Sequence, residues 1–364
     1  MFLKPGLNIL IDGQWGSTGK GKVAANLAKD TDIALAVSDF QANAGHTTMM
    51  DDGSKFVVHT LPTSVFINKD CIGAINAAAT INLNRLMQEI DECGIDERRL
   101  KIHPNACIIQ DKHVQEEMES MQWISSTCQG VGAALSEKIR RGKGVCLAMD
   151  EPRISRFVMD TVPLINAYLD GGATVLAETA QGFDLSINYG FYPYVTSRDI
   201  TVASTLNNCG VHPMYLSEVI GVLRSYPIRV GHAYDKDDNK IGDSGTFYSD
   251  QKELSWEDIT TMSGSEKSLS ERTTVTNKVR RIFTFSNTQL SKFMLVNNPT
   301  QLAINFVDYL DYSVHGSNDL YKVTESAPIK AFLMKIASVA ETYKSRVTYL
   351  GTGPKFSAYV ESEV

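Results

Sequence analysis

Short apolar runs alternate with helix-patterned stretches along the whole chain. Asn8–Ile11, Ile33–Val37, Phe56–His59, Cys71–Ile75, Val145–Met149, Thr174–Ala177, Ile228–Val230, Phe293–Val296 and Val347–Leu350 predict short buried strands. Helical spacing predicts helices over Val23–Lys29, Asn82–Glu92, Lys112–Ser120, Ile154–Leu169, Pro213–Ser225 and Ile329–Tyr343. Such alternation predicts an α/β fold: a central, mostly parallel β-sheet flanked by helices, in a single domain spanning 1–364. No internal repeat or low-complexity linker interrupts it. The polar segment Asp235–Asp243 reads as a solvated loop or hairpin.

Composition narrows the functional classes. The 364 residues suffice for a substantial core, with 43% hydrophobic and 21% charged residues, as in globular proteins generally. A net charge of −7 argues against a nucleic-acid-binding surface, though not against small phosphorylated ligands. No apolar stretch is long enough to span a membrane, and Met1–Asn8 has no apolar signal core. The cysteines at 71, 93, 107, 128, 146 and 209 lack metal or redox spacing, which suits reduced thiols in a cytoplasm.

One stretch carries chemistry on its face: Gly13-Gln14-Trp15-Gly16-Ser17-Thr18-Gly19-Lys20-Gly21-Lys22, between the strand at Asn8–Ile11 and the helix at Val23. A strand, a glycine-rich turn and a helix start form a phosphate site, because free N–H groups and the helix dipole both favour an anion. Lys20 adds a point charge. The spacing is not that of a Walker loop: Gln14 to Thr18 are one residue too many, and Gly21 follows the lysine.

The literal string resembles the N-terminal signature of the adenylosuccinate synthetase family, and further motifs follow in order. Asn43-Ala44-Gly45-His46-Thr47 is similar to a family loop whose histidine stabilises transferred phosphoryl oxygens and whose glycine carbonyl ligates magnesium. Ser125-Ser126-Thr127-Cys128-Gln129-Gly130-Val131-Gly132 resembles Gly-Thr-Thr-Gly-Arg-Gly-Ile-Gly, which implies that Ser126 and Thr127 hold a nucleotide 5′-phosphate. By the same resemblance Arg141, or Arg140 beside it, reaches the neighbouring subunit's site in a homodimer. Gln181 and Thr196 match positions on the purine nucleotide, and Asn43 joins them. Glu178, at a strand end, is not used as a base in the family.

Thr273-Thr274-Val275-Thr276-Asn277-Lys278-Val279-Arg280 resembles the aspartate-binding loop. It implies contacts to L-aspartate from Thr274, Val275, Thr276 and Arg280, since guanidinium binds carboxylate bidentately. Lys278 stands for an arginine and is assigned to the acceptor nucleotide. Gly351-Thr352-Gly353-Pro354 is similar to the segment packing on the base of the nucleoside triphosphate. The triphosphate itself is implied to meet Ser17, Thr18, Gly19, Lys20, Gly21 and Lys22, then Gly45, His46, Thr47 and Gln181. Lys20, His46 and Ser17 are the expected catalytic residues, and Mg²⁺ is expected on Gly45 and Ser17.

Two departures shape the functional expectation. Ser17 replaces the family's aspartate, which ligates magnesium and accepts the purine N1 proton; serine is uncharged and a far weaker base. Its smaller side chain leaves room for the C2 amino group of guanine. Ser-Thr in place of Asp-Glu resembles the phage-borne branch of the family, which acts on dGMP. The second departure is Leu295-Val296-Asn297-Asn298-Pro299, compared with the family's Leu-Thr-Lys-Leu-Asp. With Asn297 and Pro299 beside the donor base, no carboxylate would remain for guanine, so ATP or dATP is expected. The expectation is a carbon–nitrogen ligase joining L-aspartate to C6 of dGMP, in a bacterial host's cytoplasm if phage-encoded. An enzyme acting on IMP, or a nucleotide-binding protein without activity, are the alternatives. Serine through a water, the phosphate, or the substrate aspartate are the open replacements for the missing base.

Overall fold

In a computed structural model, residues 1–50, 53–237, 239–273, 277–355 and 357–360 are described. The centre is a nine-stranded sheet in the order Ser357–Tyr359, Arg346–Gly351, Gln301–Asn305, Leu216–Arg224, Gly6–Asp12, Thr174–Glu178, Leu35–Ser38, Ile72–Ile75, Leu100–Ile102. Every pairing is parallel except that of the edge strand Ser357–Tyr359. Along Gly6–Asp12 the pleat sends Leu7, Ile9 and Ile11 into one buried layer and Leu10 into the other. The second layer includes Val23, Ala24 and Leu27 of helix Lys20–Asp30, so alternation turns Asp12 toward that helix.

The expected fold class is found, with local corrections. Pro213–Ser225 is not a helix: Pro213–Tyr215 makes one 3₁₀ turn, and Leu216–Arg224 is a central strand. Its run Val219–Leu223 is buried on both faces, which removes the alternation that would mark a strand. Phe293–Val296 is helical, within Asn287–Asn297; Leu290, Phe293, Met294 and Asn297 are buried at helical spacing. Val145–Met149 forms no strand beyond an isolated bridge from Leu147 to Cys107. Ile154–Leu169 breaks in two, because Asp160 caps a new helix by accepting the Val162 N–H at 3.0 Å. Lys55–Val58 pairs with His46–Met49 outside the main sheet, and Lys240–Gly242 pairs with Ala233–Tyr234 as a two-stranded antiparallel sheet.

Candidate active site

The site lies at the carboxyl ends of the parallel strands, where ligands bind in open α/β sheets. After Asp12 the chain turns through Gly13–Gly19 into helix Lys20–Asp30. Its N-cap, Gly19, has no side chain to cap the helix, so the start of the helix offers N–H groups to an anion. Gly19 takes φ +88°, and a Cβ there would stand 2.8 Å from the Asn305 side-chain nitrogen. A Cβ on Gly21 would stand 2.8 Å from the Thr47 carbonyl oxygen. The helix start is therefore wedged between Asn305 and the strand His46–Met49, which only glycines allow.

Ser17 is exposed with φ +55°, whereas Thr18 is fully buried. Lys20 Nζ donates to the Gln181 carbonyl at 2.6 Å and to the Asp12 carboxylate at 3.2 Å. His46 stacks on Phe40 with ring centres 3.9 Å apart. Burial, reinforced by the charge of Lys20 and then of His59, pushes the His46 imidazole well below the ordinary histidine value. It is thus neutral near pH 7 and offers one N–H donor. Gly45 beside it is exposed and Thr47 half-buried. His59 Nδ1 donates to the Ala44 carbonyl at 2.6 Å while Nε2 accepts from Arg85 at 2.8 Å, holding this loop from behind.

An adjoining cleft brings together Asn43, Ser126, Thr127, Gln181 and Thr196, all expected there, with Trp15 as one wall. Gln181, at φ +65°, donates from Nε2 to Asn43 Oδ1 at 2.8 Å. Ser125 and Cys128 hold φ +55° and +49°, left-handed positions where the family motif has glycine. Helix Val131–Ile139 starts beyond them, and its first N–H groups are taken by Glu117, which accepts from Gly130 and Gly132 at 2.8 and 2.6 Å. Lys278 is near enough to Cys128 for its charge to oppose the burial that raises that thiol. Arg140 and Arg141 are exposed beyond the helix and do not line their own chain's cleft. Glu178 is buried and accepts from the N–H groups of Thr63 and Ser64 at 2.8 and 2.9 Å, a structural use.

Thr274, Val275 and Thr276 lie outside the described residues. Arg280 is half-buried, and its N–H donates to the Glu271 carbonyl at 2.9 Å. Glu271 in turn pairs with Arg224, whose guanidinium is fully buried, stacks over Phe306 at 4.0 Å and donates to the Ser17 carbonyl at 3.0 Å.

The donor end corrects the expectation for Asn297 and Pro299. Asn297 ends a helix, and its buried side chain accepts the Val202 N–H at 3.0 Å. Pro299 leads into the strand Gln301–Asn305; the next residue, Thr300, bonds Val219 early in the neighbouring strand. Both thus sit at the amino end of the parallel strands, away from the glycine-rich turn. The strand in question is Gln301–Asn305 and not Phe293–Val296, so the donor motif lies further along the chain than expected. The strand's carboxyl end carries Asn305, Phe306 and Asp308 instead. Asn305 Nδ2 donates to the Thr18 carbonyl at 2.8 Å, and buried Asp308 pairs with His315 Nδ1 at 2.7 Å. Gly351 and Gly353 arrive from the next strand, and Lys22 Nζ donates to the Gly353 carbonyl at 2.7 Å; Pro354 is exposed. A carboxylate, that of Asp308, therefore remains at this end, contrary to the expectation that none would.

Asp12, Arg224 and Asp308 are the residues that sequence reasoning missed. Asp12 carried a signal, as a charge closing the apolar run Ile9–Ile11. Arg224 lies within Pro213–Ser225, whose spacing predicts a helix but which forms a buried strand.

A glycine-capped helix N-terminus, a buried lysine and a neutral histidine above a parallel sheet mark a nucleotide-phosphate-handling α/β protein. The model of the adenylosuccinate synthetase family matches residues 9–151 and 145–316, and the chain belongs to that family. It is 35% identical over 361 residues to the N6-succino-2-amino-2'-deoxyadenylate synthase of Vibrio phage phiVC8, covering 96% of each chain. It is 31% identical over 360 residues to the adenylosuccinate synthetase of Archaeoglobus fulgidus, covering 98% of each. The succinoaminodeoxyadenylate synthetase of cyanophage S-2L, solved bound to dGMP and dATP as an energy donor, superposes with a TM-score of 0.79 at 30% identity, over 97% of this chain and 94% of that one. The fully ligated adenylosuccinate synthetase of Plasmodium falciparum, at 20% identity and a TM-score of 0.79 over 98% of this chain and 100% of that one, shares the fold.

Proposed function

We propose that this protein is a carbon–nitrogen ligase that joins L-aspartate to C6 of dGMP, with ATP or dATP as phosphate donor. Dimerisation with Arg141 acting across the interface belongs to the same reading. O6 of dGMP attacks the γ-phosphorus, the bond from that phosphorus to the ADP or dADP oxygen breaks and the N1 proton passes to solvent water, giving a 6-phosphoryl nucleotide and ADP or dADP. The aspartate nitrogen then bonds to C6, the C6–O6 bond breaks, inorganic phosphate departs and the amine loses a proton. The product is N6-succino-2-amino-2'-deoxyadenylate.

Each step finds residues of suitable chemistry. The first N–H groups of helix Lys20–Asp30 and the Lys20 ammonium receive the triphosphate and its developing charge. His46, neutral and buried, donates one hydrogen bond to a transferring phosphoryl oxygen. Asn43, Gln181 and Thr196 orient the purine, and Ser126 and Thr127 its 5′-phosphate. Arg280 takes a carboxylate of aspartate. Gly45 and Ser17 are exposed neutral oxygen donors that would hold a magnesium ion, and the ion would neutralise phosphate charge.

The observation that carries the acceptor assignment is Ser17: small, uncharged and exposed where the family has aspartate. The phage relatives' names and the dGMP and dATP of the cyanophage protein support it. The donor assignment rests on that relative, since Asp308 keeps a carboxylate near the donor base. Phosphate release with aspartate, dGMP or IMP, and ATP, dATP or GTP tests both. Preference for IMP overturns the acceptor reading, and preference for GTP the donor reading.

A further inference from the structure

Asp12 is fully buried at the end of its strand, facing helix Lys20–Asp30 beneath the glycine-rich turn. Its Oδ1 accepts the N–H groups of Gln14 at 2.9 Å and Gly16 at 3.3 Å. Its Oδ2 accepts the Thr18 hydroxyl at 2.5 Å and the Lys20 ammonium at 3.2 Å. One carboxylate thus ties the beginning, middle and end of the turn together. Both oxygens are used, and with 0% exposure no substrate atom reaches them.

Lys20 is itself only 6% exposed. A lysine so buried needs a counter-charge when no triphosphate is present. Asp12 supplies it from below while the Gln181 carbonyl holds the same ammonium at 2.6 Å. Gly182 packs directly onto this arrangement: a Cβ there would stand 2.3 Å from the Gln14 carbonyl oxygen and 2.8 Å from Asp12 Oδ1. The ammonium is therefore set between the turn and the segment that lines the acceptor cleft.

We infer that Asp12 is a positioning residue for triphosphate binding: it fixes the Lys20 ammonium and the shape of the turn before the nucleotide arrives. It is not the substitute for the carboxylate absent at position 17, because it is enclosed and fully engaged. The inference rests on the reading of Lys20 as a triphosphate ligand, and does not depend on which purine is the acceptor.

The test is calorimetric titration of the full-length protein with the magnesium complex of the β,γ-imido analogue of ATP. Asp12→Asn should weaken binding by about tenfold or more, the scale of a lost hydrogen bond to a charged group. In a Lys20→Gln background the same substitution should cost less than about threefold, because the two residues act as one unit. A purely structural Asp12 would make the two losses multiply, and that result overturns the inference, as does analogue binding by Asp12→Asn within about twofold of wild type. If Asp12→Asn does not fold, Thr18→Val removes the hydroxyl on Oδ2 at nearly constant shape. It should weaken analogue binding about threefold to tenfold, and wild-type affinity there overturns the inference. Absence of turnover with dGMP in the wild type would overturn the proposed ligase reaction while leaving this binding test intact.

Discussion

Arg224 donates from its guanidinium to the backbone carbonyl of Ser17 at 3.0 Å, although the two are more than two hundred residues apart. The same guanidinium pairs with both carboxylate oxygens of Glu271, at the entrance to the segment expected to bind aspartate. Ser17 sits at φ +55°, and a held carbonyl keeps that peptide in place. A lysine cannot reproduce this forked pattern. Arg224→Lys should therefore lower kcat/KM for both aspartate and the triphosphate by about tenfold or more, the scale of a lost charge-assisted contact. Steady-state kinetics with each substrate varied in turn decides it; a change confined to one substrate, or under about twofold in both, refutes the link.

Position 17 should set purine choice. Asp is among the residues that tolerate a left-handed backbone, and the side chain is exposed, so Ser17→Asp should fold normally. Its carboxylate would crowd the guanine amino group and add charge near magnesium, and it would offer IMP a base, a contribution typically of about 10²–10⁴ in rate. The ratio of kcat/KM for dGMP over IMP should fall by about tenfold or more. Measured for wild type and variant with both nucleotides, an unchanged ratio would sink the assignment of Ser17 to purine selection.

Arg141 does not line its own chain's cleft, and it holds φ +56°. Arg141→Asn keeps that backbone shape while removing the charge. In the proposed two-fold dimer it should abolish most activity, as Lys20→Gln should. Mixing the two inactive variants should recover about a quarter of wild-type activity, since half the dimers are hybrids and one of their two sites is intact. No recovery after subunit exchange, verified by native mass spectrometry, rules out a role across the interface.

The glycine-rich turn was legible because its geometry demands particular residues: Gly19 and Gly21 stand where any Cβ would collide. Asn43, Ser126, Thr127, Gln181 and Thr196 were legible as motifs, and folding brings them to one cleft. What failed was register in apolar segments. Leu216–Arg224 is buried on both faces and so carries no period of two, and four apolar residues of a helix passed for a strand. That error moved the donor motif from the strand's carboxyl end to Asn297 and Pro299. Arg224 acts through a long-range contact with the turn, which local pattern does not record, whereas the partners of Asp12 lie within the turn itself and at Lys20.

Asp184 links the site to pH. It is fully buried behind the turn, accepting the Tyr248 hydroxyl at 2.8 Å and the Gln289 amide at 2.6 Å, and Tyr248 stacks on Trp15. Burial lifts its carboxyl from 3.8 to about 6, against the pull of Gln289 and Tyr248. The folded protein thus holds this proton more tightly than the unfolded chain. The contribution of Asp184 to stability is full below about pH 3.8 and is lost as pH rises through about 6. Asp184→Asn has no proton to lose, and its oxygen still accepts from Tyr248. Its new N–H can be accepted by the Gln289 carbonyl oxygen, which has no partner among the described residues. The variant's stability relative to wild type should therefore rise between pH 4.5 and 7.5, by on the order of 3 kcal/mol at most. His46, lowered by burial, gives the opposite slope, with stability falling as pH drops below 6.5, but it does so in both proteins and cancels in the difference. Urea denaturation of the two proteins across that range measures it. A flat difference shows that Asp184 keeps an ordinary carboxyl value in the folded protein, and one that falls with rising pH shows that its value is lowered; either refutes the prediction.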